Sequence, residues 1–226
     1  MIGTLINVAS VTLGASLGLL LRARLPKRLT TIVFQGIGLF TLFLGFDMAS
    51  KTANPLIMIL SIVIGSILGE SLDIEKALER FSEFVKKKVK SKESKFSEGF
   101  VTAFLLFCVG SLTILGAIEE GTGNKPNLLI AKSVLDGFSS IALAAALGVG
   151  VLFSVIPLFL YQGGLTIFAS YLAPYMNDAL INEMTAVGGL LLIGLGINIL
   201  EIKQLKVINM LPSLLIAVIF AYFWPQ

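Results

Sequence analysis

Apolar runs close to the thickness of a bilayer recur along these 226 residues, and they restrict the chain more than any other feature. Eight such runs can be read, at 2–21, 29–46, 55–69, 100–118, 128–147, 149–172, 186–200 and 207–224. A membrane-spanning helix needs about 20 mainly apolar residues. The third and seventh runs are short, and only Gly148, Val149 and Gly150 separate the fifth from the sixth. Seven spans and one re-entrant piece are therefore the alternative to eight. Hydrophobic residues make up 56% and charged residues 14%, where a soluble domain carries about 25% charge. Water would leave this apolar surface uncovered, whereas lipid tails accept it. The expected fold is all-α, a single polytopic membrane domain of about eight transmembrane helices.

The residue inventory excludes several chemistries. There is no histidine, so neither His-based acid–base catalysis nor a His-ligated metal site is expected. Cys108, the single cysteine, has no intramolecular disulfide partner and lies within an apolar run, where it reads as a small buried hydrophobe. No Gly-rich Lys-Ser/Thr phosphate loop, HExxH or GxSxG is present. The expectation is a protein that is not an enzyme, with no cofactor, no metal and no nucleic-acid partner. No cleavable signal peptide is expected either, because no Lys or Arg precedes the first apolar run.

Basic residues set an orientation. In an eight-span arrangement, fourteen of the seventeen fall on one side. Arg22, Arg24, Lys27 and Arg28 follow the first run; eight more, from Lys76 to Lys95, follow the third; Lys203 and Lys206 follow the seventh. Lys and Arg accumulate on the cytoplasmic side, which puts both termini outside. Within the long basic loop, Ile74, Leu78, Phe81, Val85 and Val89 recur at spacings of three and four. That periodicity predicts an amphipathic helix within 73–95, lying on the inner leaflet or docking a partner.

Three ungapped stretches resemble one another: GLFTLFLGFD at 38–47, GSLTILGAIE at 110–119 and GLLLIGLGIN at 189–198. Together with NPLI at 54–57, NLLI at 127–130, LP at 25–26 and LAP at 172–174, they pair spans one to three with spans six to eight. In eight spans those triplets start on opposite sides, which is an inverted-topology repeat: 1–70 and 149–226, with 71–97 as the interfacial helix and 98–148 as linking helices. Such repeats build many secondary transporters, with sites on interrupted helices near midplane. Span one offers Asn7, Ser10, Gly14 and Gly18, and span six offers Pro157, Gln162, Gly163 and Gly164. Close helix packing also explains Ser10, Gly14 and Gly18.

The most specific polar feature is AKSVLDGFSS. Lys132 and Asp136 are four residues apart and share a helix face. Ionisable groups inside a span are costly and mark pathways or structural ion pairs. Ser139 and Ser140 continue the stripe. Asn198 and Asn209 are intramembrane amides, and Asp47, Glu119 and Glu120 end spans on the outer side, where they could form a vestibule.

GTLIN at 3–7, EGF at 98–100, AKSVLDG at 131–137, YQGG at 161–164 and NMLPSLL at 209–215 resemble the YdfK/YqgA-like bacterial membrane proteins, grouped as a family of unknown function (domain of unknown function 554). The resemblance covers nearly the whole chain. It implies a bacterial cytoplasmic-membrane protein and no particular substrate. Two functions are expected to compete. One is a homo-oligomeric transporter or channel for a small ion or solute, with Asp136, Lys132, Gln162 and Asn7 in its pathway. The other is a membrane scaffold acting through the 73–95 helix.

Overall fold

The computed structural model describes residues 1–22, 27–91, 93–108, 111–175 and 177–223. Arg24, Leu25, Pro26, Lys92, Gly110 and Trp224, all used in the sequence reading, lie outside the described residues. The helices are α1 (Ile2–Arg22), α2 (Lys27–Ala49), α3 (Pro55–Leu72), α4 (Ile74–Lys88), α5 (Phe96–Cys108), α6 (Ser111–Gly121), α7 (Asn127–Leu147), α8 (Gly150–Phe153), α9 (Val155–Leu172), α10 (Asp178–Ile199) and α11 (Pro212–Phe223). Short 3₁₀ turns occupy Ala173–Tyr175 and Val207–Met210, and no strand occurs among the described residues.

Among the described residues, five helical stretches are long and apolar enough to cross a membrane: α1, α3, α7, α10 and the Gly150–Tyr171 stretch of α8 and α9. A sixth is reached if α5 and α6, bent by 61°, count as one span. The eight expected spans are not confirmed: among the described residues the two remaining runs give the shorter apolar helices Gln35–Ala49, within α2, and Val207–Phe223. The last run, Val207–Phe223, opens as a 3₁₀ turn before Pro212. Conversely, the seventh run is longer than read. Asn177 caps α10 by accepting from Leu180 N at 2.8 Å, so the helix starts eight residues before Ala186.

By its internal contacts the chain divides into two compact units, Met1–Gln35 with Ser82–Tyr175 and Gly36–Phe81 with Met176–Gln226. The first unit is organised by α1 against α7. A Cβ on Gly14 would strike Gly137 O and Ser140 Oγ, one on Gly18 would strike Ile141 O, and one on Gly137 would strike Ser10 Oγ. The two helices run parallel, and the small-residue ladder is their seam. At the far end Gly148 ends α7 with φ +88°, a conformation that glycine adopts without a side-chain clash. There Glu93 accepts from Val149 N at 2.9 Å and pairs with Arg22 at 2.9 Å.

In the second unit α2 packs antiparallel to α10 through glycines. A Cβ on Gly45 would lie 2.8 Å from Gly189 O, and one on Gly196 would lie 3.1 Å from Gly38 O. The Gly65 backbone of α3 meets Ser213 of α11, and Gly69 meets Asn209 O. Both units carry large exposed apolar side chains, including Leu13 at 67% and Leu20 at 68% in the first and Phe43 at 66% in the second. Against water each such group would forgo about 25 cal/mol per Å²; against lipid tails it forgoes nothing.

The expected interruption of span six is absent. Gly163 and Gly164 lie inside an unbroken α9, and Pro157 is its third residue, within the first turn, where the missing N–H breaks no helical bond. Between α8 and α9, Ser154 keeps helical dihedrals and its N–H donates to Gly150 O at 3.2 Å, so the Gly150–Tyr171 stretch continues through it. The predicted amphipathic helix is α4, with Val85 buried, Phe84 58% exposed and Lys88 stacked over the Phe84 ring at 5.5 Å.

Candidate site: a buried polar network in the first unit

Asp136 is the tenth residue of α7, so at 1.5 Å per residue it sits near the middle of the span. Lys132 lies one turn earlier and donates to Asp136 Oδ2. Both side chains are nearly sealed, at 6% and 10% exposure. Asn7 of α1 donates from Nδ2 to the same carboxylate oxygen at 3.0 Å and to Gln162 Oε1 of α9 at 2.9 Å. Gln162 Nε2 in turn donates to Thr4 Oγ1 at 3.3 Å. The Thr4 and Thr166 hydroxyls share a hydrogen bond at 3.3 Å. Ser10 and Ser133 close the network's flank, with Ser10 Oγ donating to Ser133 O at 2.6 Å. Three helices thus bring Asn7, Lys132, Asp136 and Gln162 into one cluster, although 155 residues separate Asn7 from Gln162. One atom is left over: Asn7 Oδ1 is buried without a hydrogen-bond partner. Buried polar groups are nearly always paired, so this oxygen is an exception within the cluster.

The other polar residues of the sequence reading have local roles. Ser140 donates to Gly137 O at 2.7 Å within the α1–α7 seam, and Ser139 beside it is half-buried. Glu119 accepts from Leu128 N at 2.9 Å at the start of α7. Glu120 accepts from Gly3 N at 2.7 Å and pairs with the Met1 amino group at 2.9 Å. Asp47, Asn198 and Asn209 belong to the second unit. There Asp47 faces Lys51 at 3.9 Å, and Asn198 ties both backbone groups of Leu205 at 2.8 Å. Asn209 accepts from Glu75 N and donates to Glu70 Oε2, each at 2.7 Å. Glu70 also binds Lys206, and that hydrogen bond holds the Lys206 ammonium above the ordinary lysine range.

Sequence reasoning missed Glu183. This residue of α10 is 2% exposed, and its carboxylate accepts from Ala53 N at 2.7 Å, Asn54 N at 2.9 Å and Thr52 Oγ1 at 2.7 Å. It therefore seats the α2–α3 loop at the N-terminus of α3, where a negative charge is favoured. The signal was a lone Glu between Ile181 and Leu190, obscured by starting the seventh run at 186. Glu183→Ala should lower stability by about 2–3 kcal/mol, through three lost charge-assisted bonds and two orphaned backbone donors. Denaturant titration in detergent would measure this; a shift below about 0.5 kcal/mol would deny Glu183 that role.

Helices of bilayer length, exposed leucines and phenylalanines, and an ionic centre sealed inside one bundle define a helical membrane protein with five or six candidate spans. The chain belongs to the family described as a protein of unknown function, DUF554, whose model matches residues 2–222. It is similar to the "Uncharacterized membrane protein YdfK" of Bacillus subtilis (strain 168), at 36% identity over 220 residues, covering 96% of this chain and 93% of that protein. It is equally similar to the "Uncharacterized protein YqgA" of Escherichia coli (strain K12), at 36% identity over 228 residues, covering 99% and 97%. No solved structure matches.

Proposed function

We propose that this protein translocates a small ion or solute across the bacterial cytoplasmic membrane, with both termini outside, and that the network around Asp136 lies on the route. The observation that carries the reading is the sealed Asn7–Asp136–Lys132–Gln162 cluster with its unsatisfied amide oxygen. A bundle needing only stability would be better served by apolar side chains there.

An inverted repeat is part of the proposal, and the glycine contacts support it. The ungapped repeat makes Gly38 equivalent to Gly189 and Gly45 to Gly196. The observed approaches cross over: Gly45 meets Gly189, and Gly196 meets Gly38. A two-fold axis in the membrane plane would produce that exchange. Helices α1 and α9, also equivalent in the repeat, run antiparallel and meet at Asn7 and Gln162. Solute sites between repeat-related helices are the pattern of such transporters. Self-association has fewer surfaces than the glycine count implies. Gly14, Gly18, Gly45 and Gly189 are consumed within the chain, while Gly36 and Gly164 have open space beside them.

The test is flux. Purified protein in liposomes should pass a selective current or radiolabelled ion flux, and Asp136→Asn should reduce it at least about tenfold, a loss of some 1.4 kcal/mol in the rate-limiting step. The variant's elution profile should stay monodisperse. Wild-type and variant liposomes with identical flux would remove Asp136 from the route.

A further inference from the structure

One acceptor of the polar network, Asn7 Oδ1, has no donor. Both Asn7 Nδ2 hydrogens are taken, by Asp136 Oδ2 and Gln162 Oε1, and Gln162 Nε2 is directed at Thr4 Oγ1. The Asn7 amide cannot be turned over to relieve this, because its oxygen would then face an acceptor-only carboxylate. Asn7 is 0% exposed, so water does not reach Oδ1 from the surface. What remains is a buried amide oxygen in a network that also holds a carboxylate and, one turn earlier on α1, the Thr4 hydroxyl, oxygen types suited to a hard cation.

The charge count selects the class of cation. One carboxylate is present, and it is already balanced by one ammonium, Lys132. Divalent calcium-type sites recruit more oxygen ligands and usually several carboxylates, and no group of three or more His, Cys, Asp or Glu able to hold a metal occurs among the described residues.

We propose that Asn7 Oδ1, the Asp136 carboxylate and Thr4 Oγ1 form a site for a small dehydrated monovalent cation of the sodium class, and that the Lys132 ammonium is its built-in competitor. When sodium enters, Lys132 leaves the carboxylate; when sodium leaves, Lys132 returns and keeps the buried charge neutral. Lys132 is the sixth residue of α7, so its long side chain can withdraw toward the helix start. This deepens the translocation reading and rests on it for its purpose, but the binding site can be tested without flux.

The probe is sodium chloride, exchanged against choline chloride at constant ionic strength, on the full-length protein in detergent. The readout is the unfolding temperature. Wild type should show a saturable rise of about 2–4 °C with sodium, absent in Asp136→Asn. Lys132→Met, lacking the competitor, should half-saturate at sodium concentrations at least tenfold lower and show a larger rise. A flat response in both wild type and Lys132→Met overturns the site, as does an undiminished response in Asp136→Asn. A Lys132→Met response that follows pH and ignores sodium assigns the centre to a proton and also overturns it. Sodium binding without any flux would keep the site and remove the translocation reading; flux with no sodium-dependent rise in unfolding temperature would do the reverse.

Discussion

Gly14→Val should prevent the first unit from assembling. A Cβ at position 14 already collides with the Gly137 carbonyl and the Ser140 hydroxyl, and neither can retreat freely. The first is backbone in the middle of α7, and the second is pinned to Gly137 O. Overpacking against deformable side chains costs about 1–3 kcal/mol; here the whole α1–α7 seam must open, and Asn7 must leave Asp136 with it. The expected result is loss of the monodisperse peak and of most purified yield. Gly164→Ala serves as the control, because nothing lies within 4 Å of a Cβ there, and its unfolding temperature should stay level or rise slightly. A Gly14→Val protein that purifies and melts like wild type would mean that α1 and α7 do not approach this closely.

The contrast between these glycines shows what the sequence could and could not convey. Apolar runs identify lipid-length helices because hydrophobic matching to a bilayer is one-dimensional. The i, i+4 spacing places Lys132 and Asp136 on one face because a helix has a fixed pitch. Both are local rules. That Asn7 and Gln162 complete the same cluster depends on which helices touch, and spacing along the chain does not encode that; they were singled out as polar residues of helices expected to be interrupted. Asn209 drew notice as an intramembrane amide, yet it ties Glu70 to the start of α4. Glu183 escaped because a carboxylate ordinarily argues against a span, and only the fold reveals the backbone donors that neutralise it. The interruption expected in α9 is absent for a related reason. Glycine and proline permit a break without requiring one, and α9 carries Gly163 and Gly164 in regular helix.

Removing one partner of the buried ion pair should be far more damaging at Lys132 than at Asp136. With no sodium present, Lys132→Met leaves a carboxylate near the middle of α7, held only by Asn7. Breaking a buried pair in this way costs about 3–5 kcal/mol. Asp136→Asn is milder. The new amide oxygen still accepts from Asn7, and Lys132 can carry its charge toward the helix start, five residues from Asn127. The double variant Lys132→Met/Asp136→Asn should recover most of the loss, because no buried charge remains. Unfolding in choline buffer for the four proteins forms a cycle, and a coupling energy of at least about 2 kcal/mol is expected. Additive effects would mean that the two charges are solvated separately. That result would leave Lys132 with nothing to compete for at Asp136, since its role as a built-in cation requires the two charges to neutralise each other.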